Sequence, residues 1–289
     1  MPAKNKRIID AHCHIQFPIY DDDRNEVIKR AQGAGVKMIV AGTQISTSEA
    51  AIRLSHEYSE DIWATVGFHP SHAAIGHWHH DANEQKENTP EKFDIKRLKE
   101  LATDFKVVGI GECGLDYYRL AESEKLKVKS IQKKVFMEMA ELASELKKPL
   151  IIHCRPSKDS DDAYVDLLDL FFSGPKIEFK ILHCFSGNLE ISKKMSDAGF
   201  YFTFGGAVTF RAKRDKNKCA YDDVIKYLPV DMMMLETDSP YLTPVPYRRE
   251  RNEPAFIAEV VRKIAEIKNM PLEDLAEKIS GTANKIFKI

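Results

Sequence analysis

At 289 residues, with 43% hydrophobic and 30% charged side chains, the chain can bury a sizeable core beneath a polar surface. Lys plus Arg (43) nearly balances Asp plus Glu (44), so no global field draws it to nucleic acid or to an anionic membrane, and any polyanion must be met by a local patch. No apolar run is long enough to span a bilayer, and the opening MPAKNKR has no hydrophobic segment, so neither a membrane span nor a signal peptide is expected.

Eight short apolar or β-branched runs follow in chain order: RIIDAHCH, VKMIVAGT, IWATVGFHP, KVVGIGECGLDY, PLIIHC, FKILHC, FYFTFGG and DMMMLETD. The segments between them carry helical periodicity. In LKVKSIQKKVFMEMAELASELKK the apolar positions Leu126, Ile131, Val135, Met139, Leu142 and Leu146 recur at three to five residues. Ser46 with Glu49 resembles a capping box, Gly33 and Gly199 follow helical runs, and Pro254 suits a first turn. Near-continuous apolar strands, each followed by a helix, predict a parallel sheet buried on both faces. Eight such units in about 250 residues make one (β/α)8 TIM barrel, an α/β fold. No GxGxxG or P-loop stretch follows the first strand, which disfavours a doubly wound open sheet. With no internal repeat and no linker, residues 1–289 read as a single domain.

Cys13, Cys113, Cys154 and Cys184 lie in the apolar runs, and five cysteines in all is an odd number. They read as buried free thiols of a reducing, cytoplasmic compartment. Two connections exceed what packing needs: SHAAIGHWHHDANEQKENTP after the third strand, read as a lid, and AVTFRAKRDKNKCAYDD after the seventh. His56 reads as a solvated or boundary helix residue, and Met232, Met233 and Met234 as core strand.

Polar side chains at the C-terminal ends of barrel strands face the catalytic mouth. The first strand contributes His12 and His14, which share a face by the period of two; later strands contribute His69, Glu112, His153, His183 and Asp238. Carboxylates buried in an apolar mouth cost several kcal/mol unless cations compensate them, and neutral imidazoles cannot. Four histidines (12, 14, 153, 183) with Glu112 and Asp238 are too many for one tetrahedral site and suit two divalent ions, with Glu112 able to bridge them. Zinc, manganese, iron and magnesium all suit such ligands. Each neighbouring cysteine is expected to point away, into the strand–helix layer.

The motifs DAHCH, GFHP, GECGLDYY, IIHC, LHCFSG, ETDSPYL and RNEP occur in the order found in the TatD-type metal-dependent deoxyribonucleases of the amidohydrolase superfamily, with SGTANKIF near the end also similar. The resemblance implies a two-metal barrel that hydrolyses phosphodiester bonds, often as a 3′-to-5′ exonuclease on DNA. Carried over by position, His12, His14, Glu112 and Asp238 would hold one ion, and Glu112, His153 and His183 the other. Gln16 stands where the family often has an acidic or amide residue, and Arg249 and Glu250 precede RNEP where glycine and lysine are usual. Glu112 takes the place of the carboxylated lysine that bridges the metals in many lactam and phosphotriester hydrolases.

Two Mg, Mn or Zn ions lower the pKa of a shared water and clamp the charge of an in-line displacement. The expected nucleophile is a metal-bound hydroxide, with Asp238 as ligand and proton acceptor and Glu112 as the second catalytic carboxylate. Phosphate partners are expected in His69, Arg155, Arg211, Lys213 and Arg214, and Trp78 or Tyr247 could stack on a base. The expected partner is DNA, as single strands or 3′ ends, with no protein partner and no motif for direct base reading. The same metals could serve an ester or amide hydrolase, for instance one deacylating D-aminoacyl-tRNA. A metal-free binding barrel is disfavoured because every proposed ligand is present.

Overall fold

The computed structural model describes residues 7–74, 80–211 and 221–289. Its strands are β1 (Ile8–Cys13), β2 (Val36–Ala41), β3 (Ile62–Val66), β4 (Val107–Asp116), β5 (Leu150–Arg155), β6 (Lys180–His183), β7 (Phe200–Phe204) and β8 (Met233–Leu235). All eight pair in parallel and in chain order. Backbone bonds from His14 N to Ser239 O (2.8 Å) and from Asp238 N to His12 O (2.9 Å) tie the end of β1 to the segment after β8, so the barrel is nearly closed. The expected TIM barrel is the fold.

The helices are α1 (Arg24–Gly33), α2 (Ile45–Glu57), α3 (Pro70–Ala73), α4 (Ile95–Leu101), α5 (Lys125–Leu146), α6 (Asp162–Ser173), α7 (Leu189–Asp197), α8 (Asp222–Tyr227), α9 (Ile257–Lys268) and α10 (Leu272–Phe287). Among the described residues, no helix is long and apolar enough to cross a membrane.

The larger core cluster joins strands to the outer helices, for example Val36, Met38, Ile62, Leu98, Phe136, Ile191, Val260 and Leu275. A smaller one gathers Ile9, Ala11, Ile39, Ile151, Ile181 and Met234 with Ala283, Ile286 and Phe287 of α10. β1, β2, β5 and β6 are not all sheet neighbours, so these side chains can meet only inside the barrel. The end of α10 therefore packs against its interior.

Some local details depart from the sequence reading. The α2 box is formed by Gln44 and Thr47, with Gln44 N donating to Thr47 Oγ1 at 3.0 Å. Ser46 lies two residues past the cap, inside the helix, and Glu49 instead pairs with Arg97 at 2.7 Å. On α5 the buried face is Val128, Val135, Phe136, Met139 and Leu142. Leu126 is 85% exposed, because it falls in the first turn, before Val128 opens the buried face. His56 is exposed as expected, facing Asp104 at 2.8 Å. Cys13, Cys113 and Cys154 join the strand–helix core as free thiols, but Cys184 does not. It follows β6 with a left-handed φ of 45°, which turns it out of the strand's alternation. Burial and the nearby carboxylates of Glu236, Asp238 and Glu112 hold its thiol well above the ordinary value.

Candidate metal centre

Two β-bulges aim the central side chains. In β1, Asp10 pairs with Met38 but Cys13 with Val40, so β1 carries one extra residue. The parity of the strand therefore changes: Ile9 and Ala11 face the interior below the bulge, and His12 and His14 face it above. In β4, Ile110 pairs with Leu150 but Cys113 with Ile152, and the extra residue presents Glu112. Gly111 (φ 133°) and Gly114 (φ 146°) flank this second bulge in conformations that side chains avoid. A Cβ on Gly114 would sit 1.9 Å from His153 O, which accounts for the glycines of GECG.

Glu112 stands at the centre. Its Oε2 is 3.2 Å from His12 Nε2, which is 3.1 Å from His14 Nε2. His14 Nε2 is 3.4 Å from Asp238 Oδ1. Glu112 Oε1 is 2.9 Å from His153 Nδ1, 3.1 Å from His183 Nε2 and 3.2 Å from His69 Nε2. Among the described residues, three donor groups have their atoms within 4.8 Å: His12–His14–Glu112, His12–His183–Asp238 and His69–Glu112–His153. All six residues expected as ligands thus converge. His12, His14, Glu112 and His183 are buried.

The outer nitrogens of three rings fix which way their lone pairs point. His14 Nδ1 lies 2.9 Å from Ala41 O, an atom that can only accept, so Nδ1 bears the hydrogen. His153 Nε2 lies 3.1 Å from Asp116 Oδ2. Burial works against the Asp116 charge, but His153 outweighs it and the carboxyl is lowered to about 2, so it too is an acceptor. His183 Nδ1 lies 3.3 Å from Glu236 Oε2, which also accepts from Thr203 Oγ1 at 2.5 Å. As neutral rings, all three therefore direct their inner lone pairs at carboxylate oxygens. Lone pairs facing buried carboxylates repel unless a cation lies between them.

Beside these carboxylates, three of the rings favour the protonated form. Burial would strip His153, yet Asp116 and Glu112 lift it to about 9. His183 is likewise raised well above the ordinary histidine value against burial, by Glu112 and Glu236, and His14 is raised by Asp238 and Glu112. His12 goes the other way, to about 3, through burial and the neighbouring His183 and His14. Glu112, despite its burial, is held well below the ordinary carboxylate value by His183 and His69. A divalent cation substitutes for such protons, and this set of imidazole nitrogens and carboxylate oxygens, with no thiol in it, fits one.

Several polar partners escaped the sequence reading. Asp116, Glu236 and Thr203 hold ring nitrogens or their acceptors, and the signal was available, since Asp116 and Glu236 lie in the same motifs as Glu112 and Asp238. Asp10, buried, accepts from Thr237 N (2.9 Å) and Thr237 Oγ1 (2.5 Å), and burial lifts its carboxyl to about 8. Gln16 Nε2 donates to the carbonyl that His14 uses, Ala41 O, at 2.8 Å.

The residues expected to meet phosphate are dispersed. His69 sits against Glu112, and its Nδ1 accepts from Ser71 N at 3.2 Å, so Nε2 carries the hydrogen. Arg155 is at the rim, 4.0 Å over the Tyr118 ring. Arg211 is exposed after the turn Gly206–Thr209. Lys213, Arg214 and Trp78 lie outside the described residues, as does most of the HWHH run. Tyr247 is not open to a base on both faces: it stacks on Phe256 at 4.2 Å, because the turn leading into α9 brings that ring against it. Arg251, four residues further on, is taken up by Asp23 at 2.6 Å.

The comparisons agree with this geometry. A family model described as TatD related DNase matches residues 9–288. The metal-dependent hydrolase YabD of Bacillus subtilis is 36% identical, covering 98% of this chain and 99% of its own. The 3′-5′ ssDNA/RNA exonuclease TatD of Pantoea ananatis is 31% identical, covering 97% and 99%. The crystal structure of YjjV, a TatD homologue from Escherichia coli, superposes with a TM-score of 0.76 at 26% identity over 98% of each chain. From the strand-end cluster and from this near-complete match, the chain belongs to the TatD-related DNase family and is a metal-dependent hydrolase.

Proposed function

We propose that this hydrolase is a deoxyribonuclease that shortens DNA from 3′ ends, acting on single strands, with residues 1–289 as one catalytic domain in a reducing cytoplasm. The observation that carries this reading is the convergence of three oriented imidazoles on the two oxygens of Glu112. His12, His14, Glu112 and Asp238 would hold one divalent ion, and Glu112, His153 and His183 the other; Mg, Mn and Zn all suit the donors. Bound there, the ions would acidify a shared water and neutralise charge building on the phosphoryl oxygens.

The chain's own groups supply the rest. Asp238, less enclosed than Glu112, is the carboxylate set to take the proton of the attacking water. Glu112 keeps both sets of rings in register by facing each with one oxygen. The His69 Nε2–H, now spent on Glu112, is the donor placed to turn to a phosphoryl oxygen. Arg155, and Arg211 with Lys213 and Arg214, are the cations proposed to meet the phosphate chain. The name of the Pantoea ananatis relative supports both a nucleic-acid substrate and the 3′-to-5′ direction.

The test is degradation of 5′-labelled single-stranded DNA with magnesium or manganese. Wild type is expected to give a ladder shortening from the 3′ end, with Asp238→Asn about 10²- to 10⁴-fold slower and Glu112→Ala inactive. Intact DNA alongside hydrolysis of a D-aminoacyl-tRNA ester would overturn the reading in favour of acyl-bond chemistry.

A further inference from the structure

Among the described residues, the loops around the mouth include a closed arc and an open one. Residues 81–84 form a strap across the loops that follow β1, β2, β3 and β8. Glu84 accepts from Thr43 Oγ1 and lies 3.0 Å from His72 Nε2, Tyr241 OH donates to Asp81 Oδ2 at 2.7 Å, and Ile19 N donates to Asn83 O at 3.3 Å. Beyond β4, β5 and β6 a cleft of about 640 Å³ opens instead, within the size range of ligand sites. Tyr118, Arg155, Lys158, Asp159, Ser186 and Asn188 are among its walls.

Its walls follow the centre closely in the chain: Arg155 comes two residues after His153, and Ser186 three after His183. Asp116 pairs with Arg155 and Gly114 with His153 along the β4–β5 ladder, so Arg155 lies two residues beyond His153 on the same face of β5. The guanidinium lies 4.0 Å over the phenol ring, and Tyr118 is 46% exposed. Among the described residues, the side chains of Arg155, Lys158 and Asp159 have no hydrogen-bond or ion-pair partner. The cleft thus offers a flat aromatic surface, two cations for an anion, and a carboxylate for an N–H or O–H donor. A nucleotide has all three complementary parts: base, phosphate, and amine or sugar hydroxyl.

Resting on the proposed nuclease activity, we infer that the β4–β6 cleft is a nucleotide subsite, in which the unit joined to the scissile phosphate stacks on the Tyr118–Arg155 pair. The strap covers the side of the described mouth formed by the loops after β1, β2, β3 and β8. On this reading the polynucleotide leaves the centre over β5 and β6.

The experiment reads binding apart from cleavage. Anisotropy of a 5′-labelled thymidine octamer is followed in EDTA for wild type, Tyr118→Leu, Tyr118→Phe and Arg155→Gln, with Tyr227→Ala on α8 as a distant exposed-aromatic control. Tyr118→Leu is expected to weaken binding about tenfold, Arg155→Gln to weaken it as well, and Tyr118→Phe and the control to bind as wild type. Thymidine 5′-monophosphate should displace the octamer at far lower concentration than inorganic phosphate. Equal displacement by phosphate would reduce the cleft to a general anion site and overturn the inference, as would unchanged binding by Tyr118→Leu or absent binding by wild type. Failure of wild type to cut DNA when metal is restored counts against the proposed activity instead, and leaves the binding result standing.

Discussion

The two oxygens of Glu112 face different rings, and each ring is aimed by a contact on its far side. Asp116 performs that service for His153, and Glu236 for His183. Replacing Asp116 by Asn keeps the shape but offers His153 Nε2 a weaker acceptor and frees the ring to turn. We expect metal affinity, measured by competition with a chelator, to fall about 10- to 100-fold with little change in unfolding midpoint. Away from the centre, Asp162 accepts from Ser157 N (2.9 Å) and Lys129 Nζ (2.6 Å). Burial opposes its charge, yet these partners lower its carboxyl from 3.8 to about 2. A lowered folded-state pKa contributes stability that is present above the unfolded value and lost as pH falls. Asp162→Asn should therefore cost roughly 2 kcal/mol at pH 7, and urea titrations should show the gap closing between pH 4 and pH 2.

At the scale of elements, β1 and β4 each depart from regular pairing, and the departure is what delivers His12, His14 and Glu112 to the interior. Gly114 is the tightest point of the second bulge. Gly114→Ala combines a strained φ with a collision against His153 O. A loss of about 3 kcal/mol or more in chemical denaturation is expected, together with displaced metal ligands. If the variant matches wild type in both respects, the bulge does not hold Glu112 in the way described. The barrel with its helices was legible from runs such as PLIIHC and from the α5 periodicity, whereas these bulges were not. A bulge exists only relative to the partner strand, and β1 by itself reads as ordinary alternation.

For the whole molecule, the net charge of −1 leaves recognition to local groups, and among the described residues the cleft beyond β4, β5 and β6 presents two cations without ion-pair partners, Arg155 and Lys158. The centre also bears on stability. It draws on β1, β4, β5, β6 and the segment after β8, so a bound ion links parts of the barrel that are far apart in sequence. Because the unfolded chain cannot assemble these donors, metal should stabilise the fold by about 2.7 kcal/mol at a hundred times its dissociation constant. Calorimetry of the chelated protein with and without manganese measures this. An unfolding temperature indifferent to the ion would contradict a site built across the barrel.

The sequence by itself determined the barrel and the inventory of ligand-type residues at the strand ends, because apolar runs and strand-end polar residues are local patterns that survive without knowledge of their neighbours. It also carried the family, through motifs such as GECGLDYY and ETDSPYL. Only the tertiary structure decided orientation and availability. Ala41 O, Asp116 and Glu236 set the rings, Cys184 left the strand's alternation, and Tyr247 and Arg251 were consumed by Phe256 and Asp23. Each of these outcomes depends on which residues meet across the barrel. Such contacts are fixed by strand register and loop path, which are properties of the folded chain rather than of any one segment.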